Sequence, residues 1–350
     1  MKERLIGKTL KELQVLCKNL EMPLFSAKQI AEWLYKKKVT SIDQMTNISL
    51  SHREKMKNLY SVGKLNPINS QKSVDGTIKY LFLVKNDRFI ESVFIPDKER
   101  ATLCVSSQVG CKMNCLFCVT GKQGFEDQLT AMDIINQILS IPESDRLTNL
   151  VFMGMGEPLD NMDELFKVLE ILTSSYGFSW SPKRITVSTI GLTLPLKKFI
   201  EESQCHLAIS LHSPFHEERQ GWMPVERKHP VENLINLLKD YDFSHQRRLS
   251  FEYICFGGIN DDMVHAKALI RLLFTLPCRV NLIKYHGIPG VDLPSSRMEN
   301  MIRFRDYLTG HGLICTIRSS RGEDILAACG MLSTKENCKA RDKDVSLSLQ

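Results

Sequence analysis

The sequence predicts an α/β fold: a parallel sheet with helical crossovers, open or closed into a barrel, preceded by a small helical module. Three observations point there. From Leu103 onward short β-type runs alternate with helical ones, the chain before residue 75 reads as short helices, and near residue 76 the apolar period switches from helical spacing to alternation.

At the N-terminus Ser26 is positioned to cap a helix whose apolar members Ile30, Trp33 and Leu34 share a face, and a second helix is expected over residues 51–59. Alternation over 77–84 and again over 88–95 predicts a hairpin. Strands are then expected at 103–106, 150–153, 185–189, 207–210, 249–254, 280–283 and 314–317, with helices at 131–140, 162–172, 231–238 and 264–274. No internal repeat is visible. The expected division is a basic helical domain over 1–75, a β-hairpin extension over 76–100, a barrel over 101–332 and a polar tail over 333–350, expected to fray. Strands at 150–153, 185–189 and 207–210 run into polar or glycine-rich sequence, at 153–158, 188–191 and 210–213. In β/α barrels the active site is assembled at that end.

With 350 residues, 43% apolar and 25% charged, the chain is long enough for one large α/β domain and an appendage. No run approaches the roughly 18 uninterrupted apolar residues of a membrane helix. Met1-Lys-Glu-Arg lacks the charged-then-apolar order of a secretory signal, so the expected address is cytoplasmic, with no membrane partner and a monomer as the default. The net charge of +6 is unevenly distributed: residues 1–90 hold 17 Lys+Arg against 8 Asp+Glu, and residues 91–350 hold 29 against 32. The basic excess is therefore N-terminal. Clusters such as Lys36-Lys37-Lys38 and Arg53, Lys55, Lys57 suit a polyanion such as RNA, a solvated helical face being the ordinary alternative.

Eleven cysteines in a chain without an export signal argue for metal or redox chemistry over a disulfide framework. Cys17, Cys205, Cys255, Cys278 and Cys315 lie among apolar residues and read as inert core thiols. Cys111-Lys-Met-Asn-Cys115-Leu-Phe-Cys118 is different. Its CxxxCxxC spacing can wrap three corners of a [4Fe-4S] cluster and leave the fourth iron open to an outside ligand. A structural zinc site wants four closed ligands, and the next candidates are as distant as Cys205 and His206. Core cysteines that share this spacing by chance, between Gly110 and Gly121, are the third reading.

Phe117 before the third cysteine, and the motif's place after the first strand of the α/β region, resemble the radical S-adenosylmethionine (SAM) superfamily. Gly154-Met-Gly156-Glu157-Pro158 is similar to the GGEP-type segment that holds the SAM amino group there. Two further cysteines stand apart: Cys104 in Leu103-Cys-Val-Ser-Ser-Gln108, and Cys329 in Asp324-Ile-Leu-Ala-Ala-Cys-Gly-Met331. Singly, each would be read as a buried thiol. Together with Phe25-Ser-Ala-Lys-Gln-Ile-Ala-Glu-Trp, Gln44-Met-Thr-Asn, Ser210-Leu-His-Ser and residues 102–111, 152–158, 278–283 and 318–330, they resemble the RlmN/Cfr family of radical SAM RNA adenosine methyltransferases. The likeness is stronger to its RlmN branch and covers nearly the whole chain.

The resemblance implies a radical SAM partial (β/α)6 TIM-like barrel with a small N-terminal helical RNA-associated domain. It implies methylation of C2 of an adenosine in 23S rRNA and of one beside the anticodon in some tRNAs, each unstacked to reach the site. That carbon offers no lone pair, so a radical route is needed. By the resemblance, Cys329 takes a methyl group from one SAM, a second SAM yields the radical that removes a hydrogen from it, and the carbon joins C2. Glu91 is the implied general base. Cys104 then attacks Cys329, and the resulting disulfide is reduced by external thiols; an electron donor is a further partner. The implied SAM contacts are Gly156, Glu157, Ser188, Ser210, Leu211 and His212, with His286 where the family commonly has Asn. Met331 replaces a common Gln, and Cys338 receives no role. Without the family, Glu91 reads as a solvent-facing strand residue and His212 as a packed histidine bonded to backbone. Two other functions stay open: Cfr-like attack at C8, and a metal-containing RNA-binding protein without turnover.

Overall fold

In the computed structural model, residues 2–244 and 247–334 are described. One ten-stranded sheet follows the order of the chain. Strands β1 (Asn69–Lys72), β2 (Ile78–Leu83), β3 (Phe89–Asp97) and β4 (Arg100–Cys104) form an antiparallel meander. From β4 the sheet continues in parallel through β5 (Asn149–Phe152), β6 (Ile185–Thr189), β7 (His206–Ser210), β8 (Leu249–Cys255), β9 (Cys278–Lys284) and β10 (Ile314–Ile317). Each parallel step is crossed by a helix. Strand β10 does not close onto β4, so this is a partial (β/α)6 barrel with a seventh strand, as the resemblance implied.

The strands are legible because strands covered on both faces read as continuous apolar runs; all seven residues of β8 are buried. The N-terminal helices are α1 (Leu10–Asn19), α2 (Ser26–Tyr35) and α3 (Leu50–Leu59). The barrel helices are α4 (Ala131–Leu139), α5 (Met162–Thr173), α6 (Thr193–Glu202), α7 (Val231–Lys239), α8 (Met263–Leu273) and α9 (Met298–Gly310). Helix α4 starts on a capping box: the Asp133 N–H donates to the Thr130 hydroxyl at 3.3 Å and the Thr130 N–H to the Asp133 carboxylate at 3.0 Å. The N-terminal helices rest against α4 through Gly7, at φ +83°, where an added Cβ would lie 2.4 Å from the Met132 nitrogen. Only glycine fits there.

Several expectations need correction. Ser26 is not a cap: it is the first residue of α2, buried, because the chain already turns at Pro23 and the Ser26 N–H donates to the Pro23 carbonyl at 2.9 Å. Strand β4 ends at Cys104, not residue 106, since the Ser106 hydroxyl turns back to the Glu91 carbonyl at 2.6 Å. Helices α1, α6 and α9 were not anticipated. Helix α9 buries only Met301, Phe304 and Leu308, too narrow a stripe to stand out, and α6 carries Pro195 in its first turn, where proline is tolerated.

The chain after β10 crosses the open side of the barrel and is pinned to the β1–β2 turn. Asp324 accepts from the Ser73 hydroxyl at 2.6 Å and the Val74 N–H at 3.2 Å, and Asp75 accepts from the Gly322 N–H at 3.0 Å. Two residues expected to fray are held: the Ser333 N–H donates to Glu91 at 3.1 Å and the Thr334 N–H to Gln123 at 3.2 Å. The rest of the expected tail, with Cys338, lies outside the described residues. Among the described residues no helix is long and apolar enough to cross a membrane. Asp324→Ala is expected to raise amide hydrogen exchange across residues 319–330 by at least tenfold, with the sheet unchanged, in a mass-spectrometric exchange experiment.

Candidate active site

The three clustered cysteines lie in a loop held open by its own backbone. The Cys111 N–H donates to the Gly124 carbonyl at 3.1 Å and the Leu116 N–H to the Trp222 carbonyl at 2.8 Å. Asn114 adopts the left-handed φ of 49°, and a Cβ on Gly121 would lie 3.0 Å from the Cys115 nitrogen, so the loop folds back tightly on itself. Phe117 meets the His212 ring edge-on at 4.7 Å between centroids.

Burial pushes all three thiols up, Cys111 to about 12, with Cys118 adding to the rise of both Cys111 and Cys115. Thiolates crowded in this way need directly bonded cations to persist. Among the described residues no three His, Cys, Asp or Glu side chains close on a single ion. A four-iron cluster asks for something else: each thiolate binds its own corner, and no common point is required. The donor set fits the cluster better than zinc.

A cavity of about 160 Å³ joins Cys111, Cys115 and Cys118 to Gly156, Glu157, Ser188, Ser210, His212 and Cys329. Its floor depends on two glycines. A Cβ at Gly154 would lie 2.7 Å from the Val105 carbonyl, and one at Gly156, φ +100°, 2.5 Å from the Gln108 side chain. The Glu157 carboxylate accepts the Ile190 N–H at 2.9 Å and the Leu159 N–H at 3.0 Å, which fixes its direction. His212 sits at φ 60°; its Nδ1 accepts the Ile254 N–H at 3.1 Å, leaving Nε2 as the donor. Burial, then the nearby Arg219 guanidinium, pushes its pKa down to about 3, so the ring is neutral.

Two further expected SAM contacts do not line this cavity with their side chains. The Leu211 side chain is fully buried in the core. His286 lines a neighbouring cavity of about 310 Å³ and bonds the Ser320 hydroxyl at 2.8 Å. Cys329 lines both cavities. It is exposed within its recess, while Cys104 at the end of β4 is buried and its thiol is pushed up to about 12, by burial first and then by Cys329. Glu91 lies on the same face of β3 as Val93, which stands opposite Cys104. Its carboxylate is turned into the protein, 3.1 Å from Lys79 and bonded to the Ser333 N–H.

Three groups escaped sequence reasoning. Gln108 receives the Glu157 N–H at 2.8 Å and donates to Asp160 at 2.7 Å. Arg219, wholly buried, donates to the carbonyls of Ile190, Ser210 and Leu211 and pairs with Glu226. Arg318 pairs with buried Glu252 at 3.0 Å, and its charge opposes the rise that burial imposes on Cys104 and Cys329. No local pattern announces these contacts.

A partial barrel whose first loop presents CxxxCxxC beside a glycine-rich second loop defines a radical SAM enzyme, the class that carries a [4Fe-4S] cluster and binds SAM. Residues 105–269 match the radical SAM superfamily, and residues 4–62 match the ribosomal RNA large subunit methyltransferase N-terminal domain. A probable dual-specificity RNA methyltransferase RlmN from Bacteroides fragilis is 64% identical over 330 residues, 94% of this chain and 96% of that protein. The dual-specificity RNA methyltransferase RlmN of Campylobacter hominis is 42% identical over 332 residues, 89% of this chain and 93% of that one. The crystal structure of a radical SAM methyltransferase from Sphaerobacter thermophilus superposes with a TM-score of 0.88 at 36% identity, covering 94% of this chain and 99% of the other. The chain belongs to the RlmN family of radical SAM RNA methyltransferases.

Burial raises the Glu157 carboxyl from 4.5 to about 7 against the N–H groups that favour its ionised form. A raised carboxyl contributes stability below its unfolded value and loses it as pH rises through the folded one. Cluster-free protein is therefore expected to weaken between about pH 5 and about pH 8, by up to about 3 kcal/mol in urea unfolding. Glu157→Gln should flatten that profile.

Proposed function

We propose that this chain methylates C2 of an adenosine in 23S rRNA and in tRNA, through a methylated Cys329 and a transient protein–RNA bond that Cys104 resolves. The observation that carries the reading is the approach of two thiols from opposite ends of the barrel sequence. Burial raises both thiols, Cys329 adds to the rise of Cys104, Arg318 opposes the rise at each, and Cys329 shares a cavity with Cys111, Cys115 and Cys118.

Cys111, Cys115 and Cys118 would hold the cluster; Gly156, Glu157, Ser188, Ser210 and His212 would hold SAM. Together the cluster and SAM supply a 5′-deoxyadenosyl radical, an acceptor of one hydrogen atom. Arg318 favours the thiolate of Cys329, which accepts a methyl group as a thioether. That methyl gives up one hydrogen atom, and its carbon bonds to C2 of the adenine. The adduct radical would then return one electron to the oxidised cluster that Cys111, Cys115 and Cys118 would hold, and the C2 proton would pass to Glu91. The Cys104 thiolate attacks Cys329 Sγ; the sulfur–carbon bond breaks with its electron pair on the carbon, which takes a proton and leaves as the methyl of the product. A thiol reductant must reopen the disulfide.

This reading seats the target nucleotide in the neighbouring cavity, where Arg100, Ser319, Ser320 and Arg321 face Cys329. Glu91 is held by the Ser333 N–H and by Lys79, so its service as the base would require those contacts to loosen.

With reconstituted cluster, SAM, reductant and unmodified rRNA, Cys104→Ala is expected to stall as a covalent protein–RNA adduct through Cys329, seen by denaturing electrophoresis and mass spectrometry. Freely released methylated RNA at the normal rate would sink the reading. Arg318→Met is expected to slow methyl loading of Cys329 by roughly tenfold or more, measured as methylated peptide against time, with the cluster's absorbance unchanged.

A further inference from the structure

A cavity of about 650 Å³ lies at the end of the barrel opposite the thiols, among the first residues of β7, β8, β9 and β10. That is about 20 Å from the reacting end, the length of the seven-residue β8. Its walls carry Lys183, His206, Arg247, Arg248, Arg279 and His311. Among the described residues, none of Lys183, Arg247, Arg248 and Arg279 is ion-paired to a carboxylate.

Helix C-termini gather at this end and attract cations, which accounts for one contact: Arg247 Nη1 donates to the Ile200 carbonyl of α6 at 2.9 Å. It does not account for the rest. Arg247 is 8% exposed, yet its Nε has no hydrogen-bond partner, a buried donor left without an acceptor. His206 accepts the Arg248 N–H on Nδ1 at 2.8 Å, so its Nε2 is the donor. Burial, then the fields of Arg248, Lys183, Arg279 and Arg247, hold this ring at about 4, which shows how closely the cations converge. On the rim Phe274 is 79% exposed. Clustered donors of one sign beside an open aromatic face are the elements that hold a nucleotide, phosphate on the cations and base on the ring.

We propose that this mouth of the barrel binds a nucleotide through its phosphate, with Arg247, Arg248, Arg279 and His206 as donors and Phe274 as the stacking face. The phosphate comes either from the backbone of a bound RNA or from a free mononucleotide. The site is separate from the methylation chemistry and stands whether or not Cys104 and Cys329 act as described above.

The test uses cluster-loaded, SAM-saturated full-length protein, titrated by calorimetry with inorganic phosphate and with UMP, which shares no adenine with SAM. The intact protein is expected to bind both saturably, UMP more tightly. Arg248→Gln combined with Arg279→Gln, both at the cavity wall, should weaken both by at least tenfold without lowering the melting temperature, and Phe274→Ala should remove the preference for UMP. The same double variant, tested for the salt dependence of substrate-RNA binding, distinguishes the sources. A slope of log K against log salt reduced by about 1 to 2 assigns the site to RNA backbone, and an unchanged slope assigns it to a free nucleotide. Absence of saturable binding by either probe, or binding by the double variant equal to that of the intact protein, overturns the proposal.

Discussion

A guanidinium sealed from water ties the reacting loops together. Arg219 Nε donates to the Leu211 carbonyl at 3.1 Å, and Nη2 donates to the carbonyls of Ile190 at 2.9 Å and Ser210 at 3.2 Å. Those carbonyls belong to the ends of β6 and β7 and the residues just beyond them, so one side chain sets the spacing of the strand ends that carry Ser188 and Ser210 and of the loop that carries His212. Its partner Glu226 is held in turn by the Val231 N–H and the His216 ring, each at 2.8 Å. A buried pair of this kind is costly to assemble, and removing one member costs about 3–5 kcal/mol because the other charge is stranded. The same charge opposes the rise that burial imposes on Cys115 and adds to the fall that burial imposes on His212. Loop geometry and local electrostatics thus share one source.

A second buried pair performs the same service deeper in the barrel. Glu252, held by the Asn281 amide at 2.8 Å, fixes Arg318 between the two cavities that meet at Cys329. The open side of the sheet makes this possible. Because β10 never pairs with β4, the segment after Arg318 crosses the gap, is anchored to the β1–β2 turn by Asp324 and Asp75, and returns to the cluster loop, where the Val119 N–H donates to the Gly330 carbonyl at 2.8 Å. Cys329 therefore rides on a strap tied at both ends.

Local patterns made much of this legible in the sequence. The three cluster cysteines lie within eight residues, the glycine-rich loop follows a strand, and continuous apolar runs mark the parallel strands. Contacts across the sequence were not legible. Glu252 lies in a strand otherwise apolar but for Ser250 and gives no sign of its partner 66 residues away. Arg219 sits in the short helix His216–Trp222, where a charged residue ordinarily faces solvent. Motif position placed Leu211 and His286 beside the site but did not foretell that the Leu211 side chain packs into the core or that His286 lines the adjoining cavity. Ser26 had the right chemistry for a cap and the wrong preceding turn.

The central claim is that the transferred carbon passes through a methyl group on Cys329 and loses one hydrogen atom on the way. Supplying SAM with a fully deuterated methyl group and weighing both products tests it directly. The expected result is a methyladenosine retaining two deuterium atoms and a 5′-deoxyadenosine that has gained one. A product retaining all three, with unlabelled 5′-deoxyadenosine, would mean direct methyl transfer and would contradict the role assigned to Cys329.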